Sequence, residues 1–334
     1  MRAVVCAAPG RLALETRPDL GSPREGWVAV DIRHVGVCGT DYHIFEGKHP
    51  FLAYPRVMGH ELSGITASEG AAIAAGTPVI VNPYLACGRC AACRKGKPNC
   101  CMQIEVLGVH RDGGLCDRIE VPEGNLYPAE GISLRDAAMV EFLAIGAHAV
   151  RRSARNTGSA LVVGAGPIGI GTALFAKLAG LDVTVMDMSE ERLGFTADAL
   201  GIASHLKAGP DRNAEVARFT GGDGFDVVFD ATGNAASIGS GFVDVAHGGA
   251  YVLVSVVKDT ISFADPEFHK REMQLIASRN ALKVDFETVL AAMRGAQVPT
   301  DRLATHRATL EEAPAGIARW AHEKSGLVKA IIDV

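Results

Sequence analysis

The chain has 334 residues, 48% hydrophobic and 21% charged, a composition that fits about two folded domains and excludes a disordered polypeptide. Its 33 Lys and Arg against 38 Asp and Glu leave a net charge of −5, which argues against a nucleic-acid partner. Eight cysteines, five of them between Cys87 and Cys101, point to a metal site in a reducing, cytoplasmic setting rather than to a disulfide scaffold.

From the N-terminus, Met1–Ala8 predicts a first strand ending at Pro9-Gly10; its apolar run is shorter than the ~7–15 residues of a signal peptide. Short β-like segments at Trp27–His34, Pro78–Val81 and Arg118–Val121, broken by Gly and Pro, predict a compact β-rich unit over residues 1–130. Ala137, Ala138, Phe142, Ile145 and Ala149 recur at helical spacing and predict a helix from Leu134 to about Arg152. The uncharged stretch Asn156–Ala176 has the ~20-residue length of a membrane span. Its glycines and Pro167 divide it instead into strand, turn and helix, so no membrane partner is expected.

Beyond Ala160 strands and helices alternate. Leu161–Val163 precedes a helix after Pro167, and Leu181–Met186 precedes Ser189–Leu200, with Ser189 as N-cap and Glu190 and Glu191 in the first turn. Phe225–Asp230, Ala250–Ser255 and Gln274–Ala277 predict further buried strands. Such an α/β rhythm implies a doubly wound parallel sheet with helices on both faces. After about Phe286 the pattern loosens, and the strand-like Val328–Val334 is placed to rejoin the first domain and make it discontinuous.

Three groups of residues carry chemistry. Gly164-Ala165-Gly166-Pro167-Ile168-Gly169 fits GxGxxG directly between a strand and a helix, where backbone N–H groups and the helix dipole meet a pyrophosphate. Asp187 ends the next strand, roughly 20 residues on, where a carboxylate accepts the ribose 2′-OH of NAD and repels the 2′-phosphate of NADP. Arg192, one turn later, keeps NADP as the lesser alternative. Cys87, Cys90, Cys93 and Cys101 are spaced C-x2-C-x2-C-x7-C and can close a tetrahedral, structural zinc site, with Cys100 competing for the fourth place. The interleaved Arg89, Arg94, Lys95 and Lys97 mark this lobe as exposed. Cys6 and Cys116 sit in strand-like contexts as small core residues. Finally, Gly36-Val37-Cys38-Gly39-Thr40-Asp41-Tyr42-His43 and Gly59-His60-Glu61-Leu62-Ser63-Gly64 offer a Cys, a His and carboxylates, enough for a zinc with one open position.

The run Gly59-His60-Glu61, Gly64, Gly70, Ile73, followed by the four-cysteine lobe and then GxGxxG with its acid, resembles the zinc-dependent medium-chain alcohol and polyol dehydrogenases over essentially the whole chain. That resemblance implies a GroES-like catalytic domain over 1–145 and 287–334, with the zinc lobe near 84–102, around a Rossmann domain over 146–286. It implies Cys38 and His60 as catalytic zinc ligands. Glu141, where the alcohol dehydrogenases proper carry a Cys, places the chain nearer the polyol branch. Glu61 and Glu141 then serve as further ligands in exchange or through water. Thr40 and His43 fall where the family places its proton relay, which passes through the nicotinamide ribose, and Asp41 orients the site. Two zinc ions per chain, NAD, and a homodimer or homotetramer complete the expectation.

Asn82-Pro83-Tyr84, Gly108–Gly114 and Ser278-Arg279-Asn280 resemble a bacterial subgroup associated with sugar acids such as L-galactonate or L-gulonate, oxidised at C5. Arg279 and Asn280 are candidates to clamp the substrate carboxylate, with a subunit-interface role for Arg279 as the alternative. A neutral polyol or diol (sorbitol, butanediol) and L-threonine are rival substrates. A non-catalytic NAD-binding zinc regulator is the rival of another class, and the joint presence of Cys38, Thr40, His43, His60 and Glu141 speaks for the enzyme.

Overall fold

A computed structural model describes residues 1–48 and 52–334, and the chain divides into two compact units, Met1–Glu141 with Leu290–Val334, and Phe142–Val289.

The first unit is built on the strand Trp27–Val37, whose Val28, Val30, Ile32, Val35 and Val37 are buried. Glu61–Thr66 pairs antiparallel along one edge; Arg118–Pro122 and Lys329–Asp333 share the other edge, toward its start and its end respectively. Pro78–Val81 and Leu126–Pro128 extend the sheet beyond Glu61–Thr66, and Ala304–Thr309 extends it beyond Lys329–Asp333. A smaller sheet of Arg11–Thr16, Arg2–Ala8 and Arg56–Val57 shares the core, which holds Cys6, Cys116, Ile44, Met58, Leu62 and Trp320. Tyr84–Leu85 and Glu105–Val106 form a two-stranded stem with the four-cysteine segment at its head.

The second unit is a six-stranded, wholly parallel sheet in the order His205–Lys207, Asp182–Asp187, Ser159–Val163, Phe225–Asp230, Val245–Leu253, Gln274–Ala277. The order reverses beside Ser159–Val163, which creates the crevice at the strand C-termini where a doubly wound sheet takes a dinucleotide. Among the described residues no helix is long and apolar enough to cross a membrane.

Three local expectations are corrected. The helix expected from Leu134 to Arg152 is two helices, Leu134–Ala137 and Val140–Ser153. Ser133 Oγ caps the first by accepting from Asp136 N–H, and the second start puts Glu141 in a first helical turn, where the dipole favours a carboxylate. Gln274–Ala277 is an edge strand with Leu275 exposed, not a buried one, because no strand covers its outer side in the described residues. The stretch after Phe286 is regular: Lys283–Arg294, Thr300–Leu303, Ala304–Thr309 and Ala313–His322 are elements too short and too mixed in period to stand out as a pattern.

Candidate active site

Strand register assembles a buried polar centre in the first unit. Gly36 pairs with Glu61, and Val37 pairs with Ala330, so the end of one strand and the starts of two others meet. Cys38 follows directly as N-cap of the helix Gly39–Phe45, and His60 directly precedes Glu61. The Cys38 sulfur, an imidazole nitrogen of His60 and a carboxylate oxygen of Glu61 all lie within 4.8 Å of one another. Glu61 folds over Gly36, where any Cβ would overlap its Oε2, so a glycine is required there. Asp41 ties the two segments together: its carboxylate accepts from Cys38 N–H at 2.9 Å and from Gly59 N–H at 3.2 Å.

Two residues that the sequence did not point to complete the centre. Lys329, 1% exposed, places Nζ 2.7 Å from both Glu61 oxygens and also donates to Val37 O at 3.3 Å. Tyr84 donates its hydroxyl to Glu141 Oε1. A lone lysine opening a strand ordinarily reads as a solvated side chain. Only the strand register could have revealed its partner. Tyr84 stood in a stretch noted for likeness to a subgroup, without a role.

The electrostatics follow from burial. Burial pushes the Glu141 carboxyl up to about 7, with Glu61 adding to the shift and His60 opposing it. For His60 burial works against the charged form, but Asp41 and Cys38 outweigh it and hold the imidazole well above its ordinary value. Lys329 likewise stays raised despite burial, because Glu61 and Cys38 face it.

The donor set fits a divalent metal. Among the described residues His60 Nδ1 is buried without a hydrogen-bond partner, and Asp41 Oδ1 lies 3.8 Å from it. The centre gathers one thiol, one imidazole and three buried carboxyl groups (Asp41, Glu61, Glu141) beside buried Lys329, and a dication there would take the place of the protons that the imidazole and the Glu141 carboxyl hold without it. Thiolate, imidazole and carboxylate together suit zinc. Glu141 lies outside the 4.8 Å group of Cys38, His60 and Glu61. Thr40 Oγ1 is 3.8 Å from the Cys38 sulfur, and His43 is exposed, with Nδ1 3.9 Å from Glu46.

In the lobe, the Cys87, Cys90, Cys93 and Cys101 sulfurs also lie within 4.8 Å of one another, whereas the exposed Cys100 is not among them. In the second unit each motif glycine has a local reason. Gly164 takes φ +97°, a Cβ at Gly169 would overlap Gly164 O, and Gly166 faces open space at an N-cap with no side-chain cap hydrogen bond to the helix Pro167–Leu178. Asp187 accepts from Ala165 N–H at 2.7 Å and Ser189 N–H at 2.8 Å, which fixes its carboxylate against the glycine turn. Arg192 Nη1 is 3.9 Å from Asp187 Oδ2. Arg279 and Asn280 follow the strand Gln274–Ala277; Arg279 is exposed and Asn280 has φ +51°.

Comparison with known proteins matches residues 24–131 to the Alcohol dehydrogenase GroES-like domain and residues 167–295 to Zinc-binding dehydrogenase. The chain is 41% identical over 319 residues to L-galactonate-5-dehydrogenase of Escherichia coli K12, covering 93% of this chain and 94% of that one. It is 30% identical over 313 residues to sorbitol dehydrogenase of Halalkalibacterium halodurans, covering 91% and 90%. A crystal structure of an E. coli CFT073 short chain alcohol dehydrogenase (rspB) complexed with cofactor NADH superposes with a TM-score of 0.93 at 25% identity, covering 100% of this chain and 99% of that one.

Proposed function

The chain belongs to the zinc-dependent medium-chain alcohol and polyol dehydrogenases, and from that we propose that it oxidises a secondary hydroxyl of a sugar acid, an aldonate such as L-galactonate or L-gulonate, to the ketone with NAD as hydride acceptor. The carrying observation is the 41% identity to L-galactonate-5-dehydrogenase over nearly the full length of both chains. A neutral polyol is the second reading, favoured by the 30% identity to a sorbitol dehydrogenase.

Cys38, His60 and Glu61 would hold a catalytic zinc, with Glu141 exchanging with Glu61 or reaching the metal through water; Cys87, Cys90, Cys93 and Cys101 would hold a second, structural one. When bound, zinc supplies a Lewis acid that lowers the pKa of a ligated hydroxyl, and the nicotinamide accepts the hydride. The protein's own part is to place and drain a proton. Thr40 Oγ1, beside the Cys38 sulfur, accepts the proton from the substrate hydroxyl as its own hydroxyl proton leaves on the way to the exposed His43, which delivers one to solvent. Asp41 fixes the two ligand segments, and Lys329 offsets the Glu61 charge. The uncapped helix start after Gly166 receives the pyrophosphate, and Asp187 selects NAD over NADP. Arg279 and Asn280 are assigned to the substrate carboxylate by charge-assisted hydrogen bonding. A dimer or tetramer is the assembly we assign.

Cys38→Ser tests the centre. Zinc content is expected to fall from about two to about one per chain with the circular dichroism spectrum kept, and NAD reduction to fall about 100-fold or more. Full activity in this variant would remove the assignment.

A further inference from the structure

The four-cysteine segment has almost no apolar interior. Between Cys87 and Cys101 only Asn99 and Cys101 are buried, and the two short helices Ala91–Arg94 and Pro98–Cys100 are held by local backbone bonds. Its shape therefore depends on the four sulfurs and whatever joins them. The segment sits on a stem of two residue pairs, Tyr84 with Val106 and Leu85 with Glu105, too short to be stable alone. Tyr84 is thus both the first residue of that stem and the partner of Glu141. On its other side the stem is fastened: Asn125 Nδ2 donates to Tyr84 O at 3.1 Å and to Asn82 O at 2.8 Å, and Tyr84 N–H donates to Asn82 Oδ1 at 3.1 Å. Lobe, stem, phenol and Glu141 carboxyl form one continuous chain of contacts inside the first unit.

We propose that Tyr84 is a positioning residue that links the four-cysteine lobe to the Cys38–His60 centre, so that the lobe's integrity sets how tightly the centre retains its metal. The phenol engages Glu141 Oε1 and fixes the rotation of that carboxyl. A shift of the stem moves the phenol and releases the carboxyl from the orientation in which it serves the centre. The inference rests on the metal centre assigned above.

The test uses Co²⁺-exchanged full-length protein, in which a one-sulfur centre and a four-sulfur lobe have distinguishable visible bands, and follows release to a chelator. Tyr84→Phe, which keeps the ring, is expected to release the Cys38-dependent metal about tenfold faster and to shift its bands, with lobe metal and circular dichroism spectrum unchanged and a melting temperature lower by only about 2–4 °C, since the buried Glu141 carboxyl loses one donor. Cys90→Ser is expected to speed release in the Tyr84 background and add little in the Tyr84→Phe background. A release rate for Tyr84→Phe within about twofold of wild type overturns the link, whether or not the Cys90→Ser protein folds. A wild-type protein with no Cys38-dependent metal overturns the centre and the link together, and the Cys38→Ser control tells that result from a failure of the link alone.

Discussion

Asp187 shows how much one carboxylate does here. It accepts two backbone N–H groups, from Ala165 in the glycine turn and from Ser189 at the next helix start, and so holds the turn while presenting charge at the strand end. Asp187→Asn removes the charge and keeps the side-chain volume, although its amide nitrogen must face one of those two N–H donors. The ratio of kcat/KM for NADP over NAD is expected to rise about tenfold or more, the worth of a charged hydrogen bond plus a lost repulsion; an unchanged ratio in steady-state kinetics would remove Asp187 from cofactor selection. This residue was readable from the sequence because its signal is local: a strand, a glycine turn, a helix and an acid at fixed spacing. Cys38 and His60 were nearly so, each sitting in a short recognisable run. Lys329 was not, since its partner Glu61 lies far away in the chain and only the register of Lys329–Asp333 on Trp27–Val37 brings them to 2.7 Å.

At the scale of elements, the helix Val140–Ser153 carries Glu141 in its first turn and His148 two turns later on the same face. His148 Nδ1 lies 2.7 Å from Asp285 Oδ2, and Arg151 donates to both Asp285 oxygens, at 2.6 and 3.0 Å, so this helix is clamped to the start of Lys283–Arg294. Burial tends to raise the Asp285 carboxyl, but hydrogen bonds from His148, Arg151 and Leu282 N–H outweigh it and leave the value below the ordinary one. A carboxylate depressed in the folded state stabilises above its unfolded pKa, about 4, and that contribution is lost as pH falls through the folded value. Asp285→Asn is therefore expected to cost about 2 kcal/mol at pH 7 by urea unfolding, with the deficit shrinking below about pH 4. A deficit constant across that range would show that charge plays no part. The strands and helices of the parallel sheet were legible because period and punctuation agree there. The break at Ala138–Met139 and the exposure of Gln274–Ala277 were not, because helical spacing continues through the first and a strand's place in its sheet is a property of its neighbours.

For the whole molecule, a strand contributed by the chain's last residues lies against Trp27–Val37 and supplies Lys329 to a centre otherwise built from residues 36–41 and 59–61, Tyr84 and Glu141. The eight cysteines take different places: four gathered in the lobe, Cys38 in the centre, Cys6 and Cys116 in the core, and Cys100 at the surface. Neither the mild charge nor the fold selects a substrate, since one architecture serves many hydroxyl compounds and choice rests on a few side chains. The most direct measurement is a panel of aldonates and neutral polyols offered with NAD to the zinc-loaded protein, followed at the absorbance of the reduced nicotinamide. The expected result is that L-galactonate or L-gulonate gives the highest kcat/KM, about tenfold or more above sorbitol and butanediol. Turnover of a neutral polyol with none of any aldonate would contradict the sugar-acid assignment.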